Sequence, residues 1–180
     1  MKEKGKFLEV WKLDAARRQM ETAAILYFND GDPVSIHTLV SAAYEILSNL
    51  EAKKGKKMWI ESSLSNTFGA ELSKEIRPYM RKPQNFFKHA NKRRETKIRF
   101  SPVLTEIMLL DVERAYLELT GAQSLILRAY EKWCYIQYPE VFSPTPEDQN
   151  ILSDLRNKLG TLSRQQFLSE FLKLAVVMRS

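Results

Sequence analysis

An all-α bundle of about six to eight helices is the fold the sequence predicts, and three observations carry it. Apolar residues recur at spacings of three and four along most of the chain, alternating strand patterns are scarce, and only 6 glycines occur among 180 residues. That combination is the signature of helices packed on helices. A chain of this length buries a sizeable core without staples, so one helical domain over 1–180 is expected, with 145–180 a C-terminal helical hairpin packed on it.

The elements follow in order. A first helix is expected from about Leu13 to Phe28, with Ala16, Met20, Ala23, Ala24 and Tyr27 inward, ended by the turn residues Asn29-Asp30-Gly31-Asp32. Asp32 is a good N-cap and Pro33 suits the first helical position, so a second helix runs on through Ile36, Leu39, Val40, Ala43, Tyr44, Leu47 and Leu50. Its end, Lys53-Lys54-Gly55-Lys56-Lys57, sets cations at the negative pole of the helix before a glycine stop. Residues 58–82 are less regular, because Pro78 and Pro83 limit a continuous helix; a short helix or loop is expected, then a helix near 70–80. A further helix is expected to start at Pro83 and to bury Phe86, Phe87 and Ala90, with Asn91–Phe100 a polar connection. Ser101-Pro102 opens a strong helix through Leu104, Ile107, Met108, Leu110, Val112, Ala115 and Leu119, closed by Gly121. Ala122–Gln137 forms another. After the loop Tyr138–Pro146, Glu147–Leu159 and Arg164–Met178 form the closing hairpin around Gly160.

Composition bounds the setting. The single cysteine, Cys134, lies in the apolar stretch Trp133-Cys134-Tyr135-Ile136 and reads as a small buried hydrophobe in a reducing compartment. No window reaches the roughly 18 unbroken apolar residues of a membrane span, and the N-terminus lacks a signal-peptide core. A soluble, cytoplasmic protein with no membrane partner is the expectation.

The charge is uneven. Residues 74–99 hold ten basic and two acidic residues, net +8, whereas the whole chain is +6, so the remainder is slightly acidic. Such a segment suits phosphate neutralisation through Arg81, Lys88, Lys92, Arg93 and Arg94, with Tyr79, Phe100 or another exposed Phe to stack on a base. It equally suits a solvated face or an acidic partner protein.

Two histidines exist, His37 and His89. Asn85 and His89 stand four apart on one helical face, where an amide can fix an imidazole tautomer for acid–base work or simply satisfy a structural bond. A metal centre would need both histidines to converge with carboxylates such as Asp111 or Glu21; the chain holds no close-spaced ligand motif, so neither metal nor cofactor is expected. Glycine-flanked serine elbows and nucleotide-binding glycine loops are absent too. A small-ligand pocket between the second helix and the Asn85 helix, lined by His37, Tyr44 and His89, is a further expectation.

Two resemblances add to these readings. The stretch Ala23-Ala24-Ile25-Leu26-Tyr27-Phe28-Asn29-Asp30-Gly31-Asp32-Pro33-Val34-Ser35-Ile36-His37-Thr38-Leu39, then Ala42-Ala43-Tyr44-Glu45-Ile46-Leu47, Asn85-Phe86-Phe87-Lys88-His89-Ala90 and Leu109-Leu110-Asp111, resembles a widespread group of bacterial helical proteins without assigned biochemistry, over about residues 13–142. More distantly, the helical pattern with its Asn-x-x-Lys-His element is similar to HEPN-type domains. That resemblance implies a helical, dimeric module in a defence or toxin–antitoxin context, and in active members an RNA-cleaving arginine–histidine pair. In active members four to six residues separate that arginine from the histidine, whereas seven separate Arg81 from His89 here, so only Asn85 and His89 carry across. Three functional readings result: a binding or interaction module, as a homodimer; a metal-independent ribonuclease or RNA-binding protein using residues 74–99; and a small-ligand bundle with its pocket near His37 and His89.

Overall fold

The computed structural model describes residues 7–68, 70–89, 96–139 and 146–177. Among them are eight helices and no strand: α1 (Lys12–Phe28), α2 (Pro33–Lys53), α3 (Trp59–Phe68), α4 (Ala70–Lys88), α5 (Pro102–Thr120), α6 (Leu125–Gln137), α7 (Pro146–Leu159) and α8 (Arg164–Val177). The all-α expectation therefore holds. No helix among the described residues is long and apolar enough to cross a membrane.

The periodicity of α1 carries over directly: Ala16, Met20, Ala23, Ala24, Tyr27 and Phe28 are all buried. Asp32 accepts from the backbone N–H of Ser35 at 2.8 Å, which starts α2 as its capping residue implies. The pair α1–α2 makes the most extensive contact, and α5 touches α1, α2, α3 and α6, placing it at the centre of the bundle. Gly121 closes α5 with φ at 68°, in the left-handed region that glycine enters without a side-chain clash. Ser101, expected to cap α5, precedes it without a side-chain bond to the helix. The next helix starts at Leu125 rather than Ala122, because Gln123 is drawn back to donate to the buried Glu113 carboxylate.

An aromatic cluster fastens α8 to the core. Phe28 stacks on Phe167 at 6.0 Å, Trp133 meets Phe167 edge-on at 5.1 Å, and Tyr27 meets Tyr130 at 5.1 Å. Each such pair adds about 0.5–1.5 kcal/mol beyond area burial. The hairpin α7–α8 turns at Gly160, where a Cβ would stand 2.6 Å from the Arg156 carbonyl oxygen, so only glycine fits.

The proline region departs from expectation. Rather than a helix ending near 80 and another starting at Pro83, α4 runs unbroken from Ala70 to Lys88 through both Pro78 and Pro83. Each proline removes one backbone bond, yet Met80 and Pro83 are buried and Phe86 and Phe87 half-buried, so packing of one face outweighs the local cost. Ala90 lies outside the described residues, as does the first half, residues 91–95, of the connection expected from Asn91 to Phe100.

The start of α3 is set from a distance. Asp111, fully buried on α5, accepts from the backbone N–H groups of Trp59 at 2.8 Å and Ile60 at 3.4 Å, capping α3 with a side chain 51 or more positions away. Arg114, one turn further along α5, lies 4.6 Å over the Trp59 ring. Together these contacts fix α3, and through it α4, against α5.

Candidate functional site

The facing sides of α2 and α4 enclose a cleft of about 420 Å³, a size usual for small-ligand sites between helices. Ser41, Tyr44, Glu45, Ser48 and Asn49 come from α2, one face at helical spacing. From α4 and the residue after it come Arg81, Gln84, Asn85, Lys88 and His89, likewise one face. Glu61 of α3 and the apolar Met80 and Met108 complete the wall.

The cleft holds polar groups in two states. At its mouth, Glu45 is bridged to Lys88 at 3.7 Å and accepts from Gln84 at 3.4 Å, both long contacts between exposed side chains. Arg81 is exposed, and no ion pair with another described residue engages it. At its depth, Ser41 is 1% exposed and its Oγ has no hydrogen-bond partner. A buried hydroxyl left in this condition costs roughly 1–3 kcal/mol. A bound molecule that supplied the missing bond would recover that cost.

The expected pocket of His37, Tyr44 and His89 is divided by the fold. Tyr44 and His89 line the cleft; His37, one turn before Ser41, does not. His37 is fully buried, its Nδ1 2.8 Å from the Thr105 hydroxyl, and its ring meets Phe100 at 4.9 Å and Phe87 at 5.8 Å. Burial pushes its pKa down to about 4, so it is a neutral core group. The cause is position along α2 rather than phase: at 100° per residue Tyr44 and Ser48 lie within about 20° of His37, but His37, near the start of the helix, sits beside Thr105 of α5, whereas Ser41 to Asn49, further along, face the α4 side chains that line the cleft.

Asn85 is exposed and His89 half-buried, so neither is a buried polar group obliged to find a partner. Of the basic segment, Arg81 and Lys88 line the cleft, while Lys92, Arg93 and Arg94 lie outside the described residues. Tyr79 is 76% exposed and available for stacking. Phe100 is not: it packs edge-on against His37 and against Phe87, the latter at 5.5 Å.

Among the described residues no three His, Cys, Asp or Glu side chains gather at a metal-binding distance. Asp111 is occupied in capping α3, and Glu21 pairs with Arg17 at 3.1 Å. Cys134 is buried, and burial raises its thiol pKa to about 12, leaving no thiolate for nucleophilic work near neutrality.

Sequence reasoning missed one polar centre. Glu106 accepts from Tyr27 at 3.1 Å, Tyr138 at 2.8 Å and Arg164 at 3.4 Å, while Trp133 donates to the Tyr27 hydroxyl at 3.0 Å. Arg164 also lies 4.0 Å over the Tyr27 ring. The available signal was a carboxylate inside the apolar run of α5; burial there demands partners. This network ties α1, α5, α6 and α8 and borders a second, smaller cavity of about 260 Å³. The chain matches no protein-family model, no curated protein and no solved structure.

Proposed function

We propose that this protein is a binding module that holds a small polar anion in the cleft between α2 and α4. The observation that carries the reading is the pairing of a buried, unsatisfied Ser41 hydroxyl with an exposed guanidinium, Arg81, at opposite depths of one cleft. A phosphate- or carboxylate-bearing ligand satisfies both: its charged group meets Arg81 and Lys88, and a neutral polar atom reaches Ser41. Glu45 is the gate, since its loose bridge to Lys88 must yield to an incoming anion.

Titration calorimetry at low salt with inorganic pyrophosphate as the probe tests this. Arg81→Ala removes a charge-assisted bond of about 1.5–3 kcal/mol and is expected to weaken binding by roughly 10- to 100-fold. Ser41→Ala is expected to lower the affinity of a ligand long enough to reach it, about 5-fold for a neutral hydrogen bond. Binding unaffected by Arg81→Ala, or absent altogether, rejects the anion reading.

One further observation supports a ribonuclease reading of the same cleft: Arg81 and His89, too far apart for the HEPN-type sequence pattern, nonetheless line one wall. In that reading His89 is the acid or base and Arg81 and Lys88 stabilise the phosphate. Labelled RNA incubated with the protein and with His89→Ala decides it; no cleavage, or cleavage that survives the substitution, removes the enzyme.

A further inference from the structure

We infer that the ligand of the α2–α4 cleft is a zwitterion, its anionic group standing beside an ammonium as in a free amino acid, and that Glu45 selects the ammonium. This narrows the anion reading of the same cleft and rests on it.

The charges of the lining balance. Glu45 and Glu61 bring two carboxylates, Arg81 and Lys88 two cations. Carboxylates in the wall oppose an inorganic anion or a polyphosphate, because like charges repel within a Debye length of about 8–10 Å. A ligand carrying both signs finds a partner for each.

The position of Glu45 sharpens the argument. Arg81 and Lys88 stand seven residues apart on one face of α4, two turns or about 10.5 Å along the axis, with Gln84 between them. An anion shared by the two cations therefore lies over Gln84. A carboxylate oxygen already holds that place: Oε2 of Glu45 accepts from Gln84 at 3.4 Å and stands 3.7 Å from the Lys88 ammonium. Glu45 reaches it from the opposite wall, and its side chain is 63% exposed, so the bridge is cheap to open.

An incoming anion takes Lys88 and Gln84 from Glu45 and leaves that carboxylate facing it without a cation. An ammonium on the ligand takes the place of Lys88, so both charges of the opened bridge regain a partner. Gln84 suits either state, because its amide donates through nitrogen to an anion and accepts through oxygen from an ammonium.

The rest of the molecule follows from the depth of the cleft. Met80 and Met108 form an apolar wall, and the buried Ser41 hydroxyl, one turn before Glu45, has no hydrogen-bond partner. Residues four apart on a helix have Cβ atoms about 5–6 Å apart. A chain of two or three carbons ending in a neutral polar group covers that distance, which describes a small polar amino acid.

Titration calorimetry of the full chain at low salt, with two matched pairs of probes, tests this. L-Glutamine is set against 4-carbamoylbutanoate, the same molecule without its ammonium, and O-phosphoethanolamine against ethyl phosphate. In the pair whose anionic group fits, the zwitterion is expected to bind at least roughly 10-fold more tightly, and that pair identifies the group as carboxylate or phosphate. Glu45→Gln, at an exposed position where substitution leaves the fold intact, is expected to cut the preference to within about 3-fold. It does so by weakening the zwitterion alone; the ammonium-free anion binds as before or better. Ammonium-free probes that bind as tightly as their zwitterions overturn the inference and leave the anion reading standing, as does pyrophosphate binding with none of the four probes bound. A preference that Glu45→Gln leaves unchanged overturns the inference as well. No binding by any of the five rejects both.

Discussion

Replacing Asp111 by alanine removes both acceptors that start α3, and the structure allows the consequence to be worked out. The half-buried Trp59 N–H loses its bond at 2.8 Å, and the buried N–H of Ile60 loses a longer one at 3.4 Å. Loss of a helix cap costs about 1 kcal/mol, and an unsatisfied buried donor about 1–3 kcal/mol, so Asp111→Ala is expected to destabilise the fold by about 2–4 kcal/mol. Asp111→Asn keeps an oxygen for Trp59 and should cost about 1 kcal/mol at pH 5. The pH dependence separates the two effects. Burial raises the Asp111 pKa from 3.8 to about 7, so the folded state holds its proton more tightly than the unfolded one. A raised carboxyl pKa means stability falls as pH rises from about 4 toward 7 and is level above that. Asparagine does not titrate. Between pH 5 and pH 8 the Asn variant is thus expected to gain on the parent by about 2–3 kcal/mol, with Glu113, whose pKa burial also raises to about 7, common to both proteins. Urea unfolding at the two pH values measures each figure. An alanine variant within 0.5 kcal/mol of the parent, a magnitude usual for ordinary surface sites, would refute the capping argument. A parent-to-Asn difference constant with pH would refute the burial argument.

Other outcomes follow from the same contacts. Glu106→Gln places an amide donor among three donors and is expected to destabilise by about 2–4 kcal/mol, lowering the melting temperature by roughly 5–15 °C in calorimetry. His37, whose pKa burial lowers from 6.5 to about 4, contributes stability that is lost as pH falls from 6.5 toward 4. Unfolding of His37→Phe should show a shallower acid limb across that window. With its thiol raised to about 12, Cys134 is expected to react with a disulfide reagent at pH 8 only as fast as the protein opens, so modification should accelerate steeply in urea.

What was legible in the sequence was whatever local periodicity and turn chemistry dictate. The buried face of α1, the Asp32-Pro33 start of α2 and the Gly121 stop of α5 stand where their residues imply. The break at Pro83 does not, because burial on one face of α4 outweighs the bonds that its prolines remove. Nor could spacing along one helix say which neighbour a residue turns toward: Tyr44 faces the cleft while His37 faces Thr105. The segment from Arg81 to His89 was legible as a face of interest. Its opposite wall was legible only as Tyr44 on the second helix, and the buried Ser41 hydroxyl was not, since an ordinary serine becomes informative only when the fold leaves it without a partner. Asp111 and Glu106 were hidden for a similar reason: each acts on backbone or side chains more than thirty positions away.

The cleft is tested most directly by following backbone and imidazole resonances in a two-dimensional NMR titration with inorganic pyrophosphate at low salt. Binding at the proposed site is expected to shift Ser41, Tyr44, Asn85 and His89 together, along one saturable curve, while His37 in its buried pocket stays nearly still; Arg81→Ala should move that curve to higher concentration. Shifts that are absent from these residues, or that spread over the exposed lysines without saturating, would contradict it.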